Sequence, residues 1–324
     1  MQKERRLSLI SELQEVRNSK VILYVLGDRQ PLPVFNTKIA LDVLPLFQRI
    51  LKEQGKVEKI SLFLYSSGGN IDTPWPLVNT IREFCKTFEV LIPRKALSAA
   101  TLISLGANRV VMTPFSHLSP IDPEATFSSA DGKLEQYQIE DIISFIDFSR
   151  DKIGFKKDDK EGLVALLNSL CQKVDPKILG SINRTHSLIR RLANGLLCLH
   201  LDEKKDGDRI KQIVEQLTEK LFSHQHLIGR YEAKDKVGFG DVIEFADSKT
   251  FDGIEKLFEA ISADFQLLEP LQVQEELEKI KPKPLSMDSL RAVIQSEKTN
   301  YEGKSNISIF PSGQVNAPFE WKLV

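Results

Sequence analysis

The stretch from Lys59 to Pro123 constrains the fold of this chain more than any other. It opens on Lys59-Ile60-Ser61-Leu62-Phe63-Leu64-Tyr65, a run with the apolar, β-favouring character of a buried strand. Ser66-Ser67-Gly68-Gly69-Asn70 is a turn signal. Leu77, Ile81, Phe84, Cys85 and Phe88 then recur at helical spacing and predict a one-faced helix. A second strand is predicted at Glu89–Ile92, a short apolar helix at Thr101–Leu105, and a third strand at Arg109–Met112. Strand, crossover helix, strand specifies a parallel sheet, in which sites form in the loops after the strands.

Two of those loops carry residues suited to acyl transfer. That chemistry needs a nucleophile and backbone N–H groups aimed at the oxygen that becomes negative. Gly68-Gly69 lets backbone approach a substrate with no Cβ in the way. Ser98 falls at the start of a short helix, beside the small residues Ala99 and Ala100. The same residues fit a second reading, in which Gly68-Gly69 is only a tight turn and Ser98 only a helix cap.

Upstream, Val21–Gly27 is an almost wholly apolar strand, as expected for a sheet covered on both faces. Asp28–Pro33 reads as a loop, and Val43, Leu46, Phe47, Ile50 and Leu51 share one helical face behind Asp42. Downstream, Glu124–Lys133 reads as a loop. Helices are expected over 138–152, 161–173, 183–200, 209–222 and 253–265, with a charged loop at Asp202–Asp208. The end of the chain, Asn306–Phe310 and Val315–Leu323, reads as a small β-hairpin. The division expected is a core domain over 1–200 and a helical extension with a hairpin over 201–324.

The 324 residues are 41% hydrophobic and 27% charged, with a formal net charge of -1, which gives no electrostatic reason to expect nucleic acid as a partner. Cys85, Cys171 and Cys198 have neither metal-ligand spacing nor a framework of pairs, so free thiols in a reducing compartment are expected. No run is long and apolar enough to suggest a signal peptide or a membrane span. The expectation is a cytoplasmic protein without a membrane partner.

These motifs, in this order, resemble the Clp-protease and crotonase superfamily, and within it the serine dehydrogenase proteinases, relatives of signal peptide peptidase A. The carrying pieces are Leu62–Gly69, Pro93–Ala107, Val111-Met112, Ser119–Pro123, and later Ser223–Ile228 with Glu232-Ala233. The resemblance spans roughly residues 5 to 240. It implies an α/β fold with a spiral, repeated β-β-α core, Ser98 as nucleophile, and the N–H groups of Gly69, Gly68 and Ala99 as the oxyanion hole. It also implies self-association; because a parallel sheet needs its open faces covered and a helical segment is left to pack against a partner, a homo-oligomer, most simply a dimer, is expected. Relatives often carry an N-terminal membrane helix, and this chain looks like a soluble variant. No glycine-rich dinucleotide fingerprint and no metal-binding pattern is present, so no cofactor is expected.

The general base is where the chain departs from that pattern. Clp-type peptidases place a histidine where this chain has Ile121. His117 stands four residues too early and is assigned with Asp122 to a supporting role. Signal peptide peptidase A uses a downstream lysine, for which Lys152 lies in the right region. His224 falls inside the downstream family element and is the leading candidate. Three functions follow: a serine peptidase acting through an acyl-enzyme on a protein or peptide, a silent scaffold that keeps the fold without a working base, and a thioester enzyme of crotonase type.

Overall fold

The computed structural model describes residues 2–121, 124–128, 134–138, 144–145, 148–149, 159–172, 174–221, 223, 225–280 and 282–324. A long helix, α1 (Gln2–Arg17), leads into β1 (Lys20–Leu26). Then come α2 (Leu44–Gln54), β2 (Val57–Tyr65), α3 (Pro74–Arg82) and β3 (Cys85–Ile92). The short strand β4 (Lys95–Ala96), α4 (Ala99–Leu105), β5 (Arg109–Met112) and the short β6 (His117–Leu118) complete the organising stretch.

β1, β2, β3 and β5 pair in parallel, with Ser61 opposite Glu89 and Leu62 opposite Val90. The repeat expected from the resemblance is visible in the connections. After β2, Ser66 bridges to Ala96 before the chain enters α3; after β3, β4 pairs with β6 before α4 begins. After β1, Ile39 bridges to Gly69 before α2. Each turn of the spiral thus gives one long strand to the main sheet, one short segment to a second layer, and then a helix.

Both faces of the main sheet are buried, which is why its strands read as continuous apolar runs. Ile22, Tyr24, Leu26, Leu62, Leu64 and Val90 face α2, α3 and α4. Val21, Leu23, Val25, Phe63, Leu91 and Val111 face α1 and a helix near the end of the chain, α8 (Ser248–Phe265). Burial of one such side chain stabilises by roughly 1.5–3 kcal/mol.

Several local expectations change. The helix at Leu77 and Ile81 ends at Arg82, and Cys85–Phe88 belong to β3, because Val57 and Lys59 of β2 pair with Cys85 and Thr87. Glu124–Ser128 is a strand, β7, pairing with β8 (Leu134–Gln138), where a loop was expected. Helix α5 (Lys160–Cys171) lies where expected and α6 (Pro176–Leu197) starts earlier, with Asp175 accepting from the Lys177 N–H. The charged segment after Asp202 is helical: the Asp202 carboxylate caps α7 (Glu203–Glu215) by accepting from Lys204 and Lys205. A charge run that looks like a solvated loop is here the exposed first turns of a capped helix.

The chain then adds β9 (Ile228–Gly229), antiparallel to β6, and β10 (Ile243–Phe245), parallel to β5. After α8 and α9 (Val273–Ile280) comes a hairpin much larger than expected, β11 (Leu285–Gln295) and β12 (Asn300–Ile309), followed by β13 (Val315–Asn316) and β14 (Phe319–Leu323). β11 pairs antiparallel with β1, so these strands extend the main sheet to nine. Fully buried Arg6 holds that junction, donating to Gln295 at 2.9 Å, Asp264 at 2.5 Å and Glu302 at 2.6 Å. Among the described residues no helix is long and apolar enough to cross a membrane.

Candidate active site

Ser98 stands between β4 and α4 at φ 51° and ψ -114°. A positive φ is costly for a residue with a Cβ, of order 1–3 kcal/mol, and persists only where the surroundings enforce it. Here they do. The Ser98 N–H donates to Ser119 Oγ at 2.8 Å, and Leu97 N–H donates to the Ser66 carbonyl at 3.1 Å. Thr101 Oγ1 ties the start of α4 to the carbonyls of Ala96 and Ser119, at 2.8 and 3.1 Å.

The Ser98 hydroxyl makes no capping hydrogen bond to α4. The cap reading of this serine is therefore not realised: the backbone turns sharply, and the half-buried hydroxyl has no hydrogen-bond partner among the described residues.

Gly68-Gly69 lies directly against this turn. A Cβ on Gly68, at φ 90°, would stand 2.8 Å from both the Leu97 carbonyl oxygen and Ser98 Cβ, and 3.4 Å from the Ala99 nitrogen. Only glycine permits that approach. On the other side, the Ile39 N–H donates to the Gly68 carbonyl at 2.9 Å and the Asn70 N–H to the Ile39 carbonyl at 2.8 Å. The Gly68 N–H is taken by Ser66 Oγ at 3.0 Å. The N–H groups of Gly69 and Ala99 have no hydrogen-bond partner among the described residues. The structure therefore brings Ser98, Gly68, Gly69 and Ala99 together, with Gly68 spending its own N–H inside its turn.

His117 lies on β6, opposite Lys95 of β4 and Gly229 of β9. Its side chain lines a groove of about 440 Å³ with Arg94, Lys95, Pro114, Phe115 and Leu227. Ile121 is a core residue, 1% exposed, whose N–H donates to the Leu217 carbonyl at 3.0 Å. Asp122, Lys152 and His224 lie outside the described residues. His226, two residues after His224, bonds through Nε2 to the Glu232 carboxylate at 3.0 and 3.1 Å. His186 stands 4.0 Å from Glu219. His200 is tucked against α4 with Nε2 at 2.8 Å from the Leu105 carbonyl, and burial lowers its pKa.

Two residues that sequence reasoning passed over shape the site. Ser119 was visible only as part of a motif; its task, receiving the Ser98 N–H, follows from the pairing of β4 with β6. Asp28 read as a loop residue. Its carboxylate accepts from Tyr65 Oη at 2.8 Å and Ser67 Oγ at 3.2 Å, and pairs with Lys95 Nζ. Among the described residues no group of three or more His, Cys, Asp or Glu side chains is placed to hold a metal ion.

No protein-family model matches the chain. It is similar to an uncharacterized protein of Methanocaldococcus jannaschii, 25% identical over 236 residues and covering 71% of each chain. Among solved structures it is similar to a membrane-bound stomatin-specific protease in a serine-to-alanine form, at 19% identity and a TM-score of 0.39, over 71% of this chain and 81% of that one. It is also similar to ClpP1 from Listeria monocytogenes, at 16% identity and a TM-score of 0.39, over 74% of this chain and 98% of that one. Likeness at this level decides neither activity nor assembly.

Proposed function

We propose that the chain is a serine peptidase in which Ser98 attacks a peptide carbonyl and forms an acyl-enzyme. The observation that carries this reading is the Ser98 hydroxyl on a strained turn beside the N–H groups of Gly69 and Ala99, none of the three having a partner among the described residues. A base removes the Ser98 hydroxyl proton as Oγ bonds to the carbonyl carbon. The carbonyl oxygen takes the negative charge and is met by the Gly69 and Ala99 N–H groups. The C–N bond then breaks, the base's proton goes to the departing amine, and water releases the acyl group by the reverse sequence. The groove along β4 and β6, with apolar walls at Phe115 and Leu227, offers room for an extended protein or peptide segment.

In this reading the base comes from the chain beyond β6, with His224 ahead of Lys152, and Asp122 and His117 support it. The working form is a homo-oligomer. Treating the purified protein with a fluorophosphonate probe and locating the adduct by mass spectrometry tests the reading. Labelling of Ser98 is expected, lost in Ser98→Ala and sharply reduced in either His224→Ala or Lys152→Ala. The second reading, a silent scaffold, is favoured by one observation: Ile121, at the place of the expected histidine, is a core residue. An assembled wild-type protein that takes up no probe decides for the scaffold.

A further inference from the structure

Three crossovers build the site, and one carboxylate touches all three. Asp28 follows β1. It receives the hydroxyls of Tyr65, the last residue of β2, and of Ser67, the residue before Gly68. It also pairs with the ammonium of Lys95, which begins β4 three residues before Ser98. The Asp28 side chain is 11% exposed and that of Lys95 26%, so water competes little for either. The Lys95 ammonium also stands 5.2 Å from the Tyr65 ring centroid. Burial raises the pKa of Tyr65 and Asp28 adds to the effect, so the phenol stays a hydrogen-bond donor.

The backbone alone joins these segments sparsely. Between the second and third crossovers stand the bridge of Ser66 to Ala96, with its hydrogen bonds at 3.1 Å, and the contact of Gly68 with Ser98. Neither fixes how far the Gly68-Gly69 turn sits along the Ser98 turn, because a short bridge can pivot. A carboxylate bonded to a side chain on each segment supplies the missing restraint, and charge-assisted bonds at low exposure are the strong ones.

We infer that Asp28 is a positioning residue, a clamp that sets the oxyanion-hole turn at Gly69 against the nucleophile turn at Ser98 through Ser67 on one side and Lys95 on the other. This rests on the peptidase reading for its consequence in catalysis, but the clamp itself is a statement about coupled backbone order. Removing the charge while keeping the shape should loosen both turns together. Removing the cation as well should recover part of the loss, because Lys95 is no longer left half-buried without its anion.

The test compares wild type with Asp28→Asn, Asp28→Glu, Lys95→Met and the Asp28→Asn, Lys95→Met double variant. Amide hydrogen exchange is followed over residues 66–70 and 95–99, with thermal melting as a check on the whole fold. Fluorophosphonate labelling is resolved into the probe's binding constant and its bonding rate. Asp28→Asn should speed exchange in both segments while the rest of β2 and β3 stays protected. It should slow the bonding rate by about tenfold to a hundredfold, as small misplacements of reacting groups do, with little change in the binding constant. Asp28→Glu should be intermediate, and the double variant less affected than the sum of its parts. Unchanged exchange in both segments of Asp28→Asn overturns the clamp whatever the labelling shows. If wild type takes up no probe but Asp28→Asn loosens both segments, the clamp stands and the peptidase reading falls.

Discussion

Glu89 and Asp28 are both carboxylates sunk among the same strands, and they hold different kinds of backbone. Glu89, in the middle of β3, receives two bonds from Arg17 at 3.1 and 2.7 Å and one from Ser61 at 2.5 Å, with Lys59 at 3.7 Å. Everything it joins is regular helix or strand that also carries its own ladder of hydrogen bonds. Asp28 joins loop ends, and next to it Ser98 sits at positive φ and the Gly69 and Ala99 N–H groups lack partners among the described residues. Around Glu89 every element would keep its local geometry alone. Around Asp28 the backbone includes a non-glycine residue at positive φ, a strain that persists only where the surroundings enforce it.

That contrast can be broken first at Glu89. Burial by itself would raise the pKa of this carboxylate, but its bonds from Arg17 and Ser61 outweigh burial and lower it. Arg17→Met strips the buried carboxylate of its two closest charged bonds and leaves it only Ser61 and the more distant Lys59, which costs about 3 kcal/mol in urea unfolding. The Ser98 bonding rate of the folded fraction should not change. The sign of the pH dependence follows from the lowered pKa. The contribution is full above the carboxylate's ordinary value and is lost as pH falls through the depressed one, so wild type and variant should converge in stability in acid. A large change in Ser98 labelling with little loss of stability would erase the distinction between the two clusters.

The second test acts at the other cluster. Gly68→Ala places a Cβ 2.8 Å from the Leu97 oxygen and from Ser98 Cβ, on backbone that already has φ 90°. The turn must shift, and the Gly69 N–H shifts with it; on the peptidase reading that displaces an oxyanion donor. Labelling should fall about a hundredfold, with a stability loss of about 1–3 kcal/mol. A Gly68→Ala protein that labels normally would mean that the close approach is only a packing detail.

The smallest effect is expected at His200, which belongs to neither cluster. Its pKa is lowered chiefly by burial, so the imidazole is neutral and held by the Leu105 carbonyl. A depressed histidine contributes fully above its ordinary value and is lost as pH falls through the folded value. Stability measured from pH 7 down to about pH 5 should therefore decline less in His200→Gln than in wild type, by about 1 kcal/mol or less.

How much of this was legible depended on the range over which each feature is determined. Leu62–Tyr65 and Val21–Leu26 announce buried parallel strands because both faces are apolar within a few residues, and their pairing followed from the intervening helices. Ser98 and Gly68-Gly69 were legible as residues of the right kind in the right loops. Leu285–Gln295 was missed. Its first half alternates and its second half is buried throughout, a difference that exists only because β1 pairs with its later residues from the opposite end of the chain. Asp202 was misread because a charged run tells nothing of whether its first member will cap.

The amino-acid order by itself determined the α/β class, the parallel heart of the sheet and the small residues that can crowd Ser98, since apolar periodicity and the absence of a Cβ are local properties. Only the tertiary structure decided that Ser98 would not cap its helix, that Ser119 would receive its N–H, and that Asp28 would lie between Ser67 and Lys95. Those outcomes depend on which loops the sheet brings side by side, and a hydrogen bond between residues dozens of positions apart has no cause until the strands that carry them have paired.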